Sequence, residues 1–314
     1  MEKPLVSVIV PVYRVEKYIE KAIQSVCNQT LADIEVICVN DDSEDNSIKI
    51  VEKYAKSDDR IRILHHSRNC GVSTARNSAM LVAKSDYLMF LDPDDSYQPE
   101  VIEKMYNRIH SDDLDMVICN ANIVIENSNT DARGHSNAQD YTNKDFMVVW
   151  NKIWRKSVVD QYKLKFPDGL IGEDAYFSTC YYSICDGIGT IDERLYNYLI
   201  RNDSIMGLVS RPDNEVMFDA FSISECIYNF FEKNNIREKV YKMYFGCINY
   251  GIRHFTEKNY AKIAVILYNN IARKREIQIE KDHFLVGTEQ YRIKNEVFEI
   301  VQKIKNGRYL AIQK

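Results

Sequence analysis

The 314-residue sequence is poor in proline and glycine, with 6 and 11 residues, and has no apolar run of membrane-spanning length. Disordered and fibrous chains are typically rich in these two residues, so the composition predicts an ordered globular protein. The first ten residues, MEKPLVSVIV, lack the basic segment, long apolar run and cleavage site of a signal peptide. We therefore expect a cytoplasmic protein.

The 8 cysteines follow no metal-binding or disulfide pattern. There is no C-x-x-C pair and no histidine at zinc-finger spacing, so neither a disulfide framework nor a structural zinc is predicted.

The net charge of -5 argues against a nucleic-acid partner. Acidic residues outnumber basic ones in 1–206, and the reverse holds in 207–314. The basic part could face an anionic membrane surface or simply carry dispersed lysines on helices.

Short β-branched runs alternate with helical patterns in the first half of the sequence. This alternation is typical of an α/β fold, in which crossover helices join the strands of a mostly parallel sheet. The predicted strands are 6–12, 34–39, 61–64, 87–91 and 115–120, and the predicted helices are 15–26, 45–55, 72–83 and 99–109.

The pattern changes after residue 125. Residues 126–145 contain almost no apolar side chains and predict a long exposed excursion. A helical patch at 146–159, a helix over 174–184 and a β-like stretch at 188–200 come next. From residue 212 the pattern is helical to the end, with Ile223, Ile227 and Phe231 on one stripe.

Polar residues follow the first two predicted strands. Ligands of open parallel sheets bind beyond the carboxyl ends of the strands, so these residues are candidates for a binding site. The first strand could offer backbone groups and a tyrosine ring, and the second could hydrogen-bond a base or ribose. The alternative for the second segment is a turn with a helix N-cap. The candidates are Pro11, Val12 and Tyr13 after the first strand and Asn40 and Asp41, within NDDS at 40–43, after the second.

Three carboxylates, Asp92, Asp94 and Asp95, follow the buried run YLMFL. Carboxylates this close repel one another unless a cation neutralises them. Mg²⁺ and Mn²⁺ prefer oxygen ligands and often share them with substrate phosphates. The spacing does not match an EF-hand calcium loop. The alternative is a turn that precedes the next helix.

Three further charged positions are candidates. Arg76 falls in the predicted helix after NCGVS, where it could approach a nucleotide or only pack and cap. Asp174 follows Glu173 at a predicted helix start, where the helix dipole alone would favour both charges. Arg201 follows the last β-like stretch.

Seven segments together resemble family-2 glycosyltransferases, the inverting enzymes with the GT-A nucleotide-sugar-binding fold. In the family's order they are VSVIVPVY at 6–13, VNDDSEDNS at 39–47, NCGVSTARN at 69–77, FLDPDD at 90–95, WNK at 150–152, GEDAYF at 172–177 and YLIRNDSIM at 198–206. The family often has Gly where Asp42 stands and Asp where Asn40 stands. The resemblance implies a GT-A catalytic domain at 1–206, with a nucleotide-binding half at 1–120 and an acceptor-side half at 121–206. A helical region at 207–314 follows.

The resemblance also implies roles for the candidates. Asp174 would be the general base, and Asp94, with Asp92, would bind Mn²⁺ or Mg²⁺. Arg201 would stabilise the leaving diphosphate. The donor, by family frequency a UDP-sugar, would be bound by Pro11, Val12, Tyr13, Asn40, Asp41, Arg76, Asp92, Asp94 and Arg201.

Three other functions fit these motifs less well. A glycoside hydrolase would need two flanking carboxyl groups and no nucleotide pocket. A nucleotidylyltransferase would usually place a glycine-rich loop after the first strand, where this chain has YRVE at 13–16. A non-catalytic scaffold of the same fold would be expected to have lost Asp94 or Asp174.

The acceptor would be a saccharide or lipid-linked saccharide, as in bacterial relatives that build capsule, O-antigen or exopolysaccharide. The aromatic C-terminal helices could form a plain helical cap, a homodimer surface or a peripheral contact with the inner face of the membrane.

Overall fold

The computed structural model of the chain describes residues 3–126, 141–142, 147–201 and 219–236. Within these ranges it contains eight strands and seven helices. The strands are β1 (Val6–Val12), β2 (Ile34–Asn40), β3 (Ile61–His65), β4 (Tyr87–Phe90), β5 (Ser96–Tyr97), β6 (Met116–Ile125), β7 (Lys152–Arg155) and β8 (Ile188–Ile200). The helices are α1 (Ile19–Cys27), α2 (Ser47–Ala55), α3 (Val72–Val82), α4 (Val101–Ser111), α5 (Lys156–Tyr162), α6 (Glu173–Ile184) and α7 (Asp219–Lys233).

The strands form one sheet in the order β3-β2-β1-β4-β7-β6-β8-β5. The first four are parallel, with Val8 of β1 opposite both Val36 of β2 and Met89 of β4. Every residue of β1 is buried, as expected for a strand covered on both faces. The α/β fold expected from the alternating pattern is therefore confirmed.

The sheet changes direction after β4, because β7 pairs antiparallel with both β4 and β6. The long strand β8 then runs parallel to β6, and β5 pairs antiparallel with β8. The β5–β8 pairing, with Ser96 opposite Asn197, holds the end of β8 close to the turn that follows β4. Among the parallel strands the order reverses between β1 and β4, and in open α/β sheets ligands bind outside the carboxyl ends of the strands at such a point.

The apolar periodicity of the helices matches their buried faces. In α1 the buried residues are Ile19, Ala22, Ile23 and Val26, which recur at the spacing of one helix face. The helix begins at Ile19 rather than at residue 15, because Val15 enters a turn in which its N–H donates to the Ser47 hydroxyl at 2.8 Å.

The helical patch predicted at 146–159 is wrong in its central part. Residues Lys152–Arg155 form β7, and the helix begins only at Lys156. The apolar side chains of this segment fit a helix or a buried strand equally well. Pairing with β4 on one side and β6 on the other decides for the strand, in which Ile153 and Trp154 are buried.

The chain divides into two compact units, residues 1–169 with 173–201 and residues 170–172 with 202–314. In the second unit, α7 buries Ile223, Ile227 and Phe231, which confirms the stripe predicted for them. The predicted boundary at 206, most of the excursion at 126–145 and the helices predicted beyond 236 lie outside the described residues. Among the helices that are described, none has the length and hydropathy to span a bilayer.

Candidate active site

The parallel strands bring three of the predicted segments to one edge of the sheet. Val12 at the end of β1 lies opposite Asn40 at the end of β2, and the Asp41 N–H donates to the Val12 carbonyl at 3.0 Å. The segment that starts with Asp92 leaves β4 on the other side of β1. The residues after β1, β2 and β4 therefore lie side by side.

Asp41 is only 3% exposed, and its carboxylate holds the start of α3. One oxygen accepts the Cys70 N–H at 2.9 Å and the other accepts the Gly71 N–H at 2.7 Å. His66 lies with its Nδ1 2.7 Å from the first oxygen. Gly71 has a φ of 87°, a region that favours glycine, so the loop can turn its amides toward Asp41.

Two further candidates lie at the ends of β1 and β2: Tyr13 directly follows β1, and Asn40 is the last residue of β2. The side-chain oxygen of Asn40 accepts the Ser43 N–H, three residues on, at 3.0 Å, so this segment contains the turn that was considered for it. Tyr13 is 37% exposed, with the Arg14 guanidinium 5.2 Å from its ring centre. An exposed aromatic face next to backbone groups can stack on a planar ligand.

Arg76 links the segment after β4 to the start of α6. It is 3% exposed, and its Nη2 donates to Asp92 at 2.7 Å. Its Nη1 donates to Asp174 at 2.7 Å and to Glu173 at 2.9 Å. The predicted metal-binding and base carboxylates are thus bridged by one guanidinium, whereas no contact of Arg76 with Asn40 or Asp41 is seen in the described part of the chain.

The electrostatics of this cluster follow from burial. Burial raises the pKa of Asp174 to about 7, the Arg76 charge works against that rise, and the charges of Glu173 and Asp92 add to it. Burial lowers the pKa of Arg76, but the charges of Asp174, Asp92 and Glu173 outweigh it and leave that pKa above its usual range. Asp174 is therefore a stronger base than an ordinary aspartate.

The three carboxylates after β4 differ in their surroundings. The Arg201 Nε donates to Asp94 at 2.8 Å, and the Arg201 guanidinium lies 4.9 Å from the Tyr18 ring centre. Burial, followed by the Asp92 charge, raises the pKa of Asp94. Asp95 is buried and accepts the Tyr196 hydroxyl at 2.6 Å and the Leu199 N–H at 2.7 Å. Asp95 therefore ties β8 to this turn, and Asp92 and Asp94 face the site.

Comparison with known proteins assigns the chain to a family. The family model described as glycosyl transferase family 2 matches residues 7–170. The Bacillus subtilis protein EpsH is 32% identical over 259 residues, which covers 77% of this chain and 73% of EpsH. The chain belongs to glycosyl transferase family 2. It is a glycosyltransferase, as the seven motifs predicted.

Solved structures confirm the fold of this glycosyltransferase. Staphylococcus aureus TarS, residues 1–349 in complex with UDP-GlcNAc, aligns with a TM-score of 0.62 at 19% identity and covers 97% of this chain and 92% of the TarS chain. A Pyrobaculum calidifontis mannosyltransferase in complex with GDP-Man and Mn²⁺ aligns with a TM-score of 0.51 at 11% identity, covering 100% and 89% of the two chains. The predicted GT-A fold is confirmed.

The donor atoms of Asp92 and Asp94 suit a divalent cation. Each carboxylate gives one oxygen to an arginine, Asp92 to Arg76 and Asp94 to Arg201. A carboxylate has two oxygens and about four acceptor positions, so both side chains retain the capacity to bind a metal. Oxygen ligands are those that Mg²⁺ and Mn²⁺ prefer. The residues therefore fit the predicted ion.

One cation of the site received no role from the sequence. Lys152 of β7 is 0% exposed, and burial lowers its pKa to about 7 against the opposing effect of the Asp174 charge. The WNK segment contributed to the family resemblance, but the lysine itself received no role. A lysine between the apolar runs MVVW at 147–150 and IW at 153–154 is the signal that could have identified it, because lysine is rarely fully buried.

Proposed function

We propose that this glycosyltransferase moves a sugar from a nucleotide-sugar, by preference a UDP-sugar, to a saccharide or lipid-linked saccharide acceptor with inversion of the anomeric carbon. The observation that carries the proposal is the Arg76 bridge, which joins Asp92 on the donor side to Asp174, a carboxylate with a raised pKa. A site that transfers a glycosyl group needs both parts within the length of one sugar.

The nucleoside would lie at the ends of β1 and β2. Pro11, Val12 and Tyr13 would offer backbone groups and an aromatic face, and Asn40 and Asp41 would hydrogen-bond the base or ribose. TarS, which shares the fold, is known in complex with UDP-GlcNAc, which supports a uridine donor. Because Asp41 already accepts two backbone N–H groups, its position is fixed before the nucleotide arrives.

Asp174 would act as the general base. Its carboxylate takes the proton from the acceptor hydroxyl as that oxygen attacks the anomeric carbon from the face opposite the diphosphate. The carbon–oxygen bond to the diphosphate breaks in the same step, so the anomeric carbon is inverted without a covalent enzyme intermediate. A pKa of about 7 leaves Asp174 able both to accept the proton and to release it afterwards.

Asp94 and Asp92 would hold Mn²⁺ or Mg²⁺ together with the donor phosphates. When bound, the ion supplies positive charge that stabilises the leaving diphosphate. Arg201 lies against Asp94 and would add a second positive charge at the same place.

The acceptor class is supported by the resemblance to bacterial enzymes of surface-polysaccharide assembly. The homodimer and membrane contacts considered for the C-terminal helices concern residues 207–314, most of which lie outside the described ranges. Both stay predictions.

Calorimetric titration of the purified protein with UDP, GDP, dTDP and CDP, in Mn²⁺ and again in EDTA, tests the donor class. We expect UDP to bind in Mn²⁺ and to lose more than about tenfold in affinity in EDTA, because the diphosphate charge then meets Asp92 and Asp94 without a cation. Binding of another nucleotide would replace uridine in the proposal. Binding of none would contradict a nucleotide-sugar donor.

The Asp94→Ala variant tests the metal ligands in the same titration. We expect UDP affinity in Mn²⁺ to fall more than about tenfold, and EDTA to change it little further. Asp160→Ala is the matched control, because Asp160 pairs with Lys156 on the exposed face of α5. Asp94→Ala with the wild-type Mn²⁺ dependence would assign the ion to other residues.

A further inference from the structure

Lys152 is a buried cation held by two oxygen acceptors of its own segment. Its Nζ donates to the Val148 carbonyl at 2.6 Å and to the Asn151 side-chain oxygen at 2.8 Å. The Asn151 amide in turn donates to the carbonyls of Cys119 at 2.8 Å and Tyr141 at 3.0 Å. Because Asn151 is anchored on both sides, the ammonium group has a fixed place.

The Val148–Val149 peptide connects this ammonium to Asp174. Its carbonyl accepts from Lys152, and its N–H, which belongs to Val149, donates to Asp174 Oδ2 at 3.4 Å. The carbonyl and N–H of one peptide are conjugated, so a cation on the oxygen draws electrons from the nitrogen and makes the N–H a stronger donor. Hydrogen bonds to a catalytic group are often long before substrate binds, as this one is.

The same peptide is also tied to the helix that carries Asp174. The Ser178 hydroxyl donates to the Val148 carbonyl at 3.2 Å, and Ser178 lies one helical turn after Asp174 in α6. Asp174 is therefore held from two sides, with Arg76 on Oδ1 and the Val149 N–H on Oδ2. A carboxylate fixed at both oxygens keeps one orientation toward an acceptor hydroxyl.

We propose that Lys152 is a positioning residue for the general base, acting on Asp174 through the Val148–Val149 peptide. The proposal rests on the proposed function, in which Asp174 takes the acceptor proton. It explains why a lysine occupies a fully buried strand position, where a charge is costly unless it is compensated. In this role Lys152 acts through the peptide and not by contact with the donor or the acceptor.

The Lys152→Met variant removes the charge and keeps the length of the side chain. With UDP-GlcNAc as the probe and UDP release as the readout, we expect kcat to fall by about 10- to 100-fold, while KM for the donor changes by less than about twofold. Lys152→Arg keeps a cation and should recover part of the lost kcat. Lys156→Met is the matched control, because Lys156 pairs with the exposed Asp160 within α5 and should leave kcat unchanged.

A spectroscopic readout tests the same connection without donor or acceptor. In protein labelled at valine, the Val149 amide resonance, assigned through Val149→Ile, should move upfield in Lys152→Met as its hydrogen bond weakens. It should stay in place in Lys156→Met. This measurement remains decisive if UDP-GlcNAc is not turned over, so a failure of the proposed donor and a failure of the Lys152 proposal are distinguished.

Two results would overturn the proposal. One is a Val149 amide resonance that is unmoved in Lys152→Met. The other is a Lys152→Met enzyme that loses thermal stability and raises KM as much as it lowers kcat, with no recovery in Lys152→Arg, because a purely structural lysine would behave in that way.

Discussion

Replacing Asp174 with Asn is expected to lower the rate of sugar transfer by about 100- to 10,000-fold, the range typical of losing a general base. An amide keeps the size of the side chain but cannot take a proton from the acceptor hydroxyl. UDP binding in Mn²⁺ should change by less than about twofold, because Asp174 contacts Arg76 and the Val149 N–H rather than the nucleotide edge of the site. The measurements are UDP release and calorimetric titration.

The same prediction includes a direction for the pH dependence of the rate. With a pKa of about 7, Asp174 is protonated and inactive as a base at lower pH, so kcat/KM of the wild type should rise as the pH approaches about 7. The pKa of Lys152 is also about 7, so the rise should level off as that lysine loses its charge. The residual activity of Asp174→Asn should lack this limb. Asp168→Asn is the matched control, since Asp168 is exposed and accepts from Thr74. Near-full turnover in Asp174→Asn would show that another group is the base.

Replacing Arg76 with Met is expected to destabilise the fold by about 3–5 kcal/mol, as is typical when one partner of a buried ion pair is removed. Arg76 neutralises Asp92, Glu173 and Asp174, and its loss leaves these carboxylates to repel one another. At about 2–4 °C per kcal/mol for a unit of this size, the melting temperature should fall by about 6–20 °C. Thermal unfolding followed by circular dichroism measures the change.

The loss should depend on pH. Without the guanidinium, the effect that holds down the pKa of Asp174 is lost and that pKa rises further in the folded state, so folding takes up a proton and stability falls as the pH rises. The deficit of Arg76→Met should therefore be larger at about pH 8 than at about pH 5. Arg108→Met is the matched control, because Arg108 pairs with Asp112 on the exposed face of α4 and should cost about 1 kcal/mol or less.

An Arg76→Met protein with a wild-type melting temperature would show that the cluster does not depend on Arg76. If the variant does not fold, Arg76→Lys replaces it in the same experiment. A lysine keeps the charge but cannot reach three carboxylates with a planar fork, so a smaller loss of the same sign is expected.

The parallel half of the sheet follows from the sequence alone. The runs VSVIVPV and YLMF are almost entirely apolar, short and rich in β-branched or aromatic residues, as is typical of strands covered on both faces. The apolar stripe of α1 is equally clear in the sequence. Local patterns of this kind depend on neighbours a few residues apart, so they can be predicted without the fold.

The strand β7 is an element that local sequence patterns do not predict. Residues 152–155 carry no periodicity that separates a strand from a helix. Their conformation is decided by β4 and β6, because the backbone N–H and C=O groups on the facing edges of these two strands find hydrogen-bond partners only when β7 pairs between them. Those partners lie about 30 to 70 residues earlier in the chain, beyond the reach of a local pattern.

The candidate site, too, is predicted from the sequence only in part. The motifs after β1, β2 and β4 contain the residue types that bind a nucleotide and a metal, and the motif at the start of α6 contains the candidate base, Asp174. The family resemblance assigned them their roles. The sequence could not show that Arg76 contacts Asp92 and Asp174 rather than Asn40 and Asp41, that Asp95 belongs to the support of β8, or that a peptide links Lys152 to Asp174. Those partners are separated by up to about 100 residues in the sequence. Only the assembled sheet, with α3 and α6 packed near it, determines which charged side chains become buried neighbours.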